Sequence, residues 1–299
     1  MKTIITILLM AASTAAITCA AVAQGQDALL ERGEYLMNGP VACANCHTPR
    51  NPDMSFQEGM DFAGGFKIVD PAFEVYAANV TPDPETGIGT WTDEETIVAI
   101  REGKTPDGTI IWPPMPVPTY NAMSDDDVKA IVAYLRTVKP IHNEVPESKY
   151  EIPLQAMPPA KGAPAPSPDD KVAYGDYIVN ALAHCFECHT PMGANGMPDM
   201  AKLGAGGFEI QLTPEMVVRT PNITPDPETG IGSWSDGDIK KAITQAVTPE
   251  GQKLSPPMPY PFFKNMTDQD LDAVVAYLRT VPPVKNQVER TEFQKTAFP

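Results

Sequence analysis

One nine-residue string occurs twice. Thr81 to Gly89 reads TPDPETGIG, and Thr224 to Gly232 repeats it 143 positions later. Ala133 to Val138, AYLRTV, recurs from Ala276 at the same offset. Gly33-x-Tyr35 and Cys43-Ala-Asn-Cys46-His47 recur as Gly175-x-Tyr177 and Cys185-Phe-Glu-Cys188-His189 at an offset of 142. Self-similarity at a long period constrains a fold more than any local pattern, because each copy must then close its own core. The change of offset places one extra residue in the second copy, between Phe208 and Asn222. Two homologous domains are expected, 27–140 and 169–285, followed by a polar tail, 286–299.

Between them, 141–168 holds seven prolines, at 146, 153, 158, 159, 164, 166 and 168. Proline lacks a backbone donor and favours an extended chain, so this stretch reads as a semi-rigid linker outside either core. Each copy carries three helix signals and no convincing alternating strand. The first helix spans Leu29–Met37 and Tyr174–Leu182. The second follows a tryptophan: Thr92-Asp-Glu-Glu95 is a capping box, with its twin starting at Ser235. The third starts at Ser124 and Thr267. There Val128, Ile131, Val132 and Leu135, and Leu271, Val274, Val275 and Leu278, fall at helical spacing. The fold class is all-α with long Pro/Gly-rich connections. Such loops are costly in a small domain unless they wrap something that completes the core.

The N-terminus reads as an export signal, 1–23. A positive start at Lys2 precedes an uncharged apolar run that ends in Ala21-Val22-Ala23, a small-x-small cleavage pattern. A retained anchor is the competing reading, because the run could also span a bilayer. No later run is long enough to do so. Cleavage would remove Cys19, one of five cysteines, and leave four in a periplasmic protein, where free thiols tend to oxidise. The chain carries 38 acids against 22 bases, a net charge of −16, which makes nucleic acid an unsuitable partner. The net charge is more negative in the first domain, −10 from 18 acids and 8 bases, than in the second with its tail, −6 from 17 and 11. This predicts steering toward a basic patch on a redox partner, with solubility as the plainer explanation.

Cys-x-x-Cys-His is the attachment signature of c-type haem. Residues i and i+3 share one face of a helical turn, so both thiols can reach the vinyl groups of one porphyrin, and the next histidine faces the iron. His47 and His189 are the proximal ligand candidates. A thioredoxin-like pair would need a βαβ pattern. A four-thiolate zinc site would have to join halves far apart in sequence. Disulfides within Cys43/Cys46 and Cys185/Cys188 would leave both adjacent histidines unexplained.

A second axial ligand should also recur in register. Met115 and Met258 each sit in a Pro-Pro-Met-Pro loop, where flanking prolines fix the backbone. They are the candidates. Met123 and Met266, each just before a helix N-cap, read as packing residues. His142 and His184 have no repeat partner and read as solvated or surface groups. Arg50 and Arg219 likewise belong to one copy each. The runs Asp93–Glu95 and Asp125–Asp127 read as helix N-terminal charges, not as a metal site.

CxxCH, then N-[VI]-TPDPETGIG-x-W, then PPMP, then a terminal AYLRT helix resemble class I cytochrome c domains of bacterial diheme cytochromes. They are similar to the cytochrome subunits of alcohol, aldehyde and sugar-acid dehydrogenases. The resemblance covers both domains. It implies two covalently bound haem c groups and His/Met ligation by His47 with Met115 and His189 with Met258. It also implies first and last helices crossing near Gly33 and Gly175, and the Asn79/Trp91 and Asn222/Trp234 regions near haem propionates. The expected role is one-electron carriage from a periplasmic dehydrogenase to another cytochrome or a terminal oxidase. The alternative is a diheme enzyme, of peroxidase or thiosulfate-oxidising type, with one exchangeable ligand. Those subunits commonly carry three haem domains and a C-terminal membrane helix, and two domains are seen here.

Overall fold

The computed structural model describes residues 24–194, 196–213, 216–254 and 256–289. The expected export segment, 1–23, and the tail from 290 onward lie outside the described residues. In the first domain α1 covers 24–38, α2 Ala44–His47, α3 Asp93–Glu102, α4 Val117–Tyr120 and α5 Asp125–Leu135. The second domain repeats this order. Its α6, Lys171–Tyr177, runs on through a π-helical turn, Ile178–Leu182, into α7, Cys185–His189. There follow α8 Asp236–Gln245, α9 Tyr260–Phe263 and α10 Asp268–Leu278.

The helices start where capping chemistry directs. Thr92 accepts the Glu95 N–H while the Glu95 carboxylate takes the Thr92 N–H, a complete capping box. Ser124, Ser235 and Thr267 each accept an N–H three residues on, with acids in the first turn to suit the helix dipole. The helical spacing of α5 and α10 yields buried stripes. Val128, Ile131, Val132 and Leu135, and Leu271, Val274, Val275 and Leu278, are all buried. Met123 and Met266 pack into the same core, as expected of staple residues.

First and last helices cross through a glycine in each domain. A Cβ on Gly33 would lie 2.0 Å from the Ala130 carbonyl oxygen, and one on Gly175 would lie 1.9 Å from that of Ala273. Only a residue without a side chain lets the two backbones meet so closely. The repeated arginine of the AYLRT helix also has a local task. Arg136 donates to the carbonyls of Ile88 and Trp91 and reaches Asp93. Arg279 does the same to Ile231, Trp234 and Asp236. It ties the last helix to the end of the TPDPETGIG loop.

The class is all-α, but two small hairpins correct the expectation of no strands. In the first domain β1, Lys67–Asp70, pairs antiparallel with β2, Phe73–Tyr76. In the second, β4, Glu209–Thr213, pairs with β5, Met216–Arg219. These ribbons are short and half exposed, with only Val75 buried in the first, so no two-residue alternation marks them. The second hairpin carries an irregularity between Gln211 and Thr213. It falls in the interval where the sequence demanded one extra residue, and a bulge is how a ladder absorbs one.

The proline-rich segment is not a free spacer. Lys149–Tyr150 forms β3 against β2, and Tyr150 packs on Phe73. Further on, the Met157 N–H reaches the Glu102 carbonyl and the Asn121 amide donates to the Pro158 carbonyl. The stretch from 141 to about 162 therefore runs along the first domain, held by main-chain bonds that proline content does not reveal. No helix among the described residues is long and apolar enough to cross a membrane.

Candidate functional site

The two Cys-x-x-Cys-His turns open into one continuous cavity of about 3970 Å³. Ordinary small-ligand pockets hold roughly 300–1,000 Å³, so this space suits more than one large group. Cys43, Cys46, His47 and Met115 line it from the first domain, and Cys185, Cys188, His189 and Met258 from the second. All eight residues singled out from the sequence therefore share its walls.

Each histidine is fixed from two sides. His47 Nδ1 is 2.8 Å from the Ala78 carbonyl, and its own carbonyl accepts the Gly64 N–H at 2.7 Å. His189 Nδ1 is 2.8 Å from the Pro221 carbonyl, and its carbonyl accepts the Gly206 N–H at 2.8 Å. A carbonyl on Nδ1 selects the tautomer that leaves Nε2 with its lone pair, the arrangement a metal-ligating imidazole needs. Burial holds both rings below the ordinary histidine pKa, against the opposing pull of those carbonyls. Both are thus neutral at physiological pH. Burial also pushes the thiols up, to about 11 for Cys46 and about 12 for Cys43, Cys185 and Cys188. Thiols held protonated at neutral pH are poor redox nucleophiles, because the thiolate is the reactive form. Their chemistry fits covalent attachment to haem vinyl groups.

The TPDPETGIG loops and the asparagines just before them brace the cavity wall. Asn79 accepts from the Thr81 N–H and hydroxyl, and donates to Thr86 Oγ1 and the Ile141 carbonyl. Asn222 repeats this with Thr224, Thr229 and Val284. Both amides lie at the cavity, yet their hydrogen-bonding capacity is used inside the wall. They hold the cleft's shape and offer it no spare donor. Trp91 and Trp234 both pack against the core, and Trp234 also lines the cavity.

Sequence reasoning missed the joint between the two clefts. His184, expected at the surface, meets Tyr120 of the other domain edge to face, with ring centroids 6.1 Å apart. Its Nδ1 lies 3.2 Å from Glu187. The Asn45 amide, inside the first Cys-x-x-Cys-His turn, donates to the Pro257 carbonyl of the second domain's methionine loop. Each motif turn thus meets the methionine-loop side of the other domain. No local pattern announces contacts between copies. His142, by contrast, stays exposed near Asp83 and Glu85.

The family pattern described as cytochrome c matches residues 30–139 and again 172–282. The chain belongs to the cytochrome c family. Both copies are cytochrome c domains, the kind that carries covalently bound haem c. Among similar proteins is the fructose dehydrogenase cytochrome subunit of Gluconobacter japonicus, 34% identical over 273 residues, 85% of this chain and 52% of that protein. The cytochrome c subunit of the quinone alcohol dehydrogenase of Gluconobacter oxydans is 33% identical over 283 residues, 89% of this chain and 57% of that protein. A diheme cytochrome c-type protein of Cereibacter sphaeroides is 30% identical over 256 residues, 81% of this chain and 83% of that protein. The chain spans little more than half the length of the dehydrogenase subunits it matches.

Proposed function

We propose that this cytochrome is an exported diheme one-electron carrier that takes electrons from a periplasmic dehydrogenase and passes them to a further cytochrome or a terminal oxidase. Haem c, when bound, supplies the reversible ferric/ferrous couple. The protein's residues do the rest. Cys43 and Cys46, and Cys185 and Cys188, anchor the two groups, while His47 with Met115 and His189 with Met258 hold the irons. The observation that carries the reading is the paired set of motif histidines, each with Nδ1 on a backbone carbonyl and each sharing its cavity with an in-register methionine. Two protein ligands to each iron would leave no open position for a substrate. The proteins named as dehydrogenase subunits support the donor, and the length matched with the diheme protein supports a count of two.

The diheme-enzyme alternative requires an exchangeable or second histidine ligand. His142 lies exposed beside Asp83 and Glu85, and His184 meets Tyr120 and Glu187, so neither favours it. The test is a haem count with the ferric far-red spectrum. Two haems per chain are expected, with a weak methionine-to-iron band that shrinks in Met115→Ala, shrinks in Met258→Ala and vanishes in the double variant. An unchanged band would overturn the ligand assignment. Carbon monoxide binding by the untreated ferrous protein would favour the enzyme.

A further inference from the structure

Arg50 breaks the repeat at the joint between the two clefts, where the second copy has Met192. Its guanidinium donates to the Asn45 carbonyl at 2.8 Å and to Asn45 Oδ1 at 2.9 Å. Asn45 lies between Cys43 and Cys46, so the cation is clamped onto the first motif turn itself. A third bond runs to the Met54 carbonyl, and the guanidinium carbon lies 3.8 Å from the centre of the Phe56 ring, a cation–π contact. None of these partners carries a charge. Arg32, Arg101, Arg136, Arg219 and Arg279 each reach a carboxylate. Among the described residues Arg50 is thus the one arginine without an anion beside it, in a chain whose net charge is −16. It lines the cavity and is half-buried, with Nε closed off from water. A charge placed so is screened less than one on the surface. The second turn is built the other way: in the register of the repeat, Glu187 stands for Asn45 and Met192 for Arg50.

We infer that the uncompensated charge of Arg50 raises the potential of the haem in the first domain, and so biases an electron shared by the two haems toward the first. The inference rests on the diheme reading above. Ferric iron carries one more positive charge than ferrous, so a nearby cation disfavours the ferric state. The effect acts through space and needs no bond to the prosthetic group. With the same ligand set on both irons, a cation fixed on one motif turn and absent from the other makes the two haems inequivalent. Arg50 also has a structural side. The Asn45 that it holds donates to the Pro257 carbonyl beside Met258, so a merely mechanical role would disturb the second haem as well.

The test is spectroelectrochemistry on the full-length, haem-loaded protein. The redox wave that Met115→Ala displaces marks the first haem. Arg50→Met, which installs the residue of the second copy, should lower that wave by up to about tenfold in the haem's reduction equilibrium (about 59 mV for one electron), while the other stays. Arg50→Lys keeps the charge without the planar fork and should hold most of the wild-type potential. The converse change, Met192→Arg, should raise the second wave. Two unmoved waves in an Arg50→Met protein that holds both haems would overturn the assignment. So would an Arg50→Lys protein that falls as far as Arg50→Met, because the clamp and not the charge would then set the potential. Should Arg50→Met fail to load haem, Met192→Arg decides: no rise means the idea is wrong. A wild-type haem count below two sinks the diheme reading instead, and a Met115→Ala protein with neither wave displaced sinks the ligand assignment, which keeps the failures distinct.

Discussion

Single residues set the spacing of this fold, and Gly33 and Gly175 do so most severely. The atom that a Gly33 side chain would strike is a carbonyl oxygen inside α5, which cannot swing aside as a side-chain tip can. Gly33→Ala should therefore destabilise by an amount at or above the top of the ~1–3 kcal/mol range of overpacked cores. Gly25 provides a control in the same helix, since nothing lies within 4 Å of its added Cβ. Gly25→Ala should be neutral or stabilise by up to about 1 kcal/mol through helix propensity. Denaturant unfolding of the two haem-loaded variants makes the comparison. Equal effects would mean that the helix crossing is looser than the geometry requires.

Among the elements, the TPDPETGIG loop was the most legible in sequence and its purpose the least. Repetition of nine letters announced a shared structure, but it did not reveal that each loop is locked internally. Asp83 accepts from the backbone and hydroxyl of Thr86 and from the Glu85 N–H. Asp226 does the same with Thr229 and Glu228. These bonds hold both carboxyls below the ordinary carboxylate range. A group whose folded pKa is depressed gives stability that is fully present above its unfolded pKa and is lost as pH falls through the folded value. The pair Asp83→Asn and Asp226→Asn should therefore lower stability at neutral pH and flatten its decline on acidification. Urea midpoints from roughly pH 6 to pH 2 test this, and parallel acid limbs would refute it. The capped helices and the motif residues could be read because their signals are local in sequence. The hairpins could not, because their faces are too exposed to alternate. The anchored proline segment could not either, because β3 is a two-residue strand whose partner lies in β2.

At the scale of the whole molecule, the repeat that builds two domains also joins them. Tyr35 donates to Asp270 at 2.5 Å and accepts the Thr267 N–H at 3.2 Å. Tyr177 donates to Asp127 at 2.6 Å and accepts the Ser124 N–H at 3.0 Å. Each tyrosine comes from the first helix of one domain and seals the N-terminus of the last helix of the other. The glycine of Gly-x-Tyr thus makes the crossing within a domain, and the tyrosine makes the contact between domains. Burial first, then the carboxylate beside Tyr177 and the hydrogen-bonded one beside Tyr35, raise both phenols well above the ordinary tyrosine pKa, so both remain donors at any physiological pH. Arg32 adds a second partner to Asp127, whereas Tyr174 fills the corresponding place in the second domain. Asp270 therefore depends more heavily on its tyrosine. Removing a hydroxyl from a buried carboxylate costs about 1–3 kcal/mol, so Tyr35→Phe should cost more than Tyr177→Phe. The wild-type protein should unfold in one calorimetric transition. The double variant should resolve into two, one per domain, with the haem count unchanged. Two transitions already in the wild type, or one unshifted transition in the double variant, would show that these bonds do not couple the domains. Coupling matters for the proposed carrier because both clefts open into one cavity. An interface that holds the two motif turns together keeps the distance an electron must cross between haems constant.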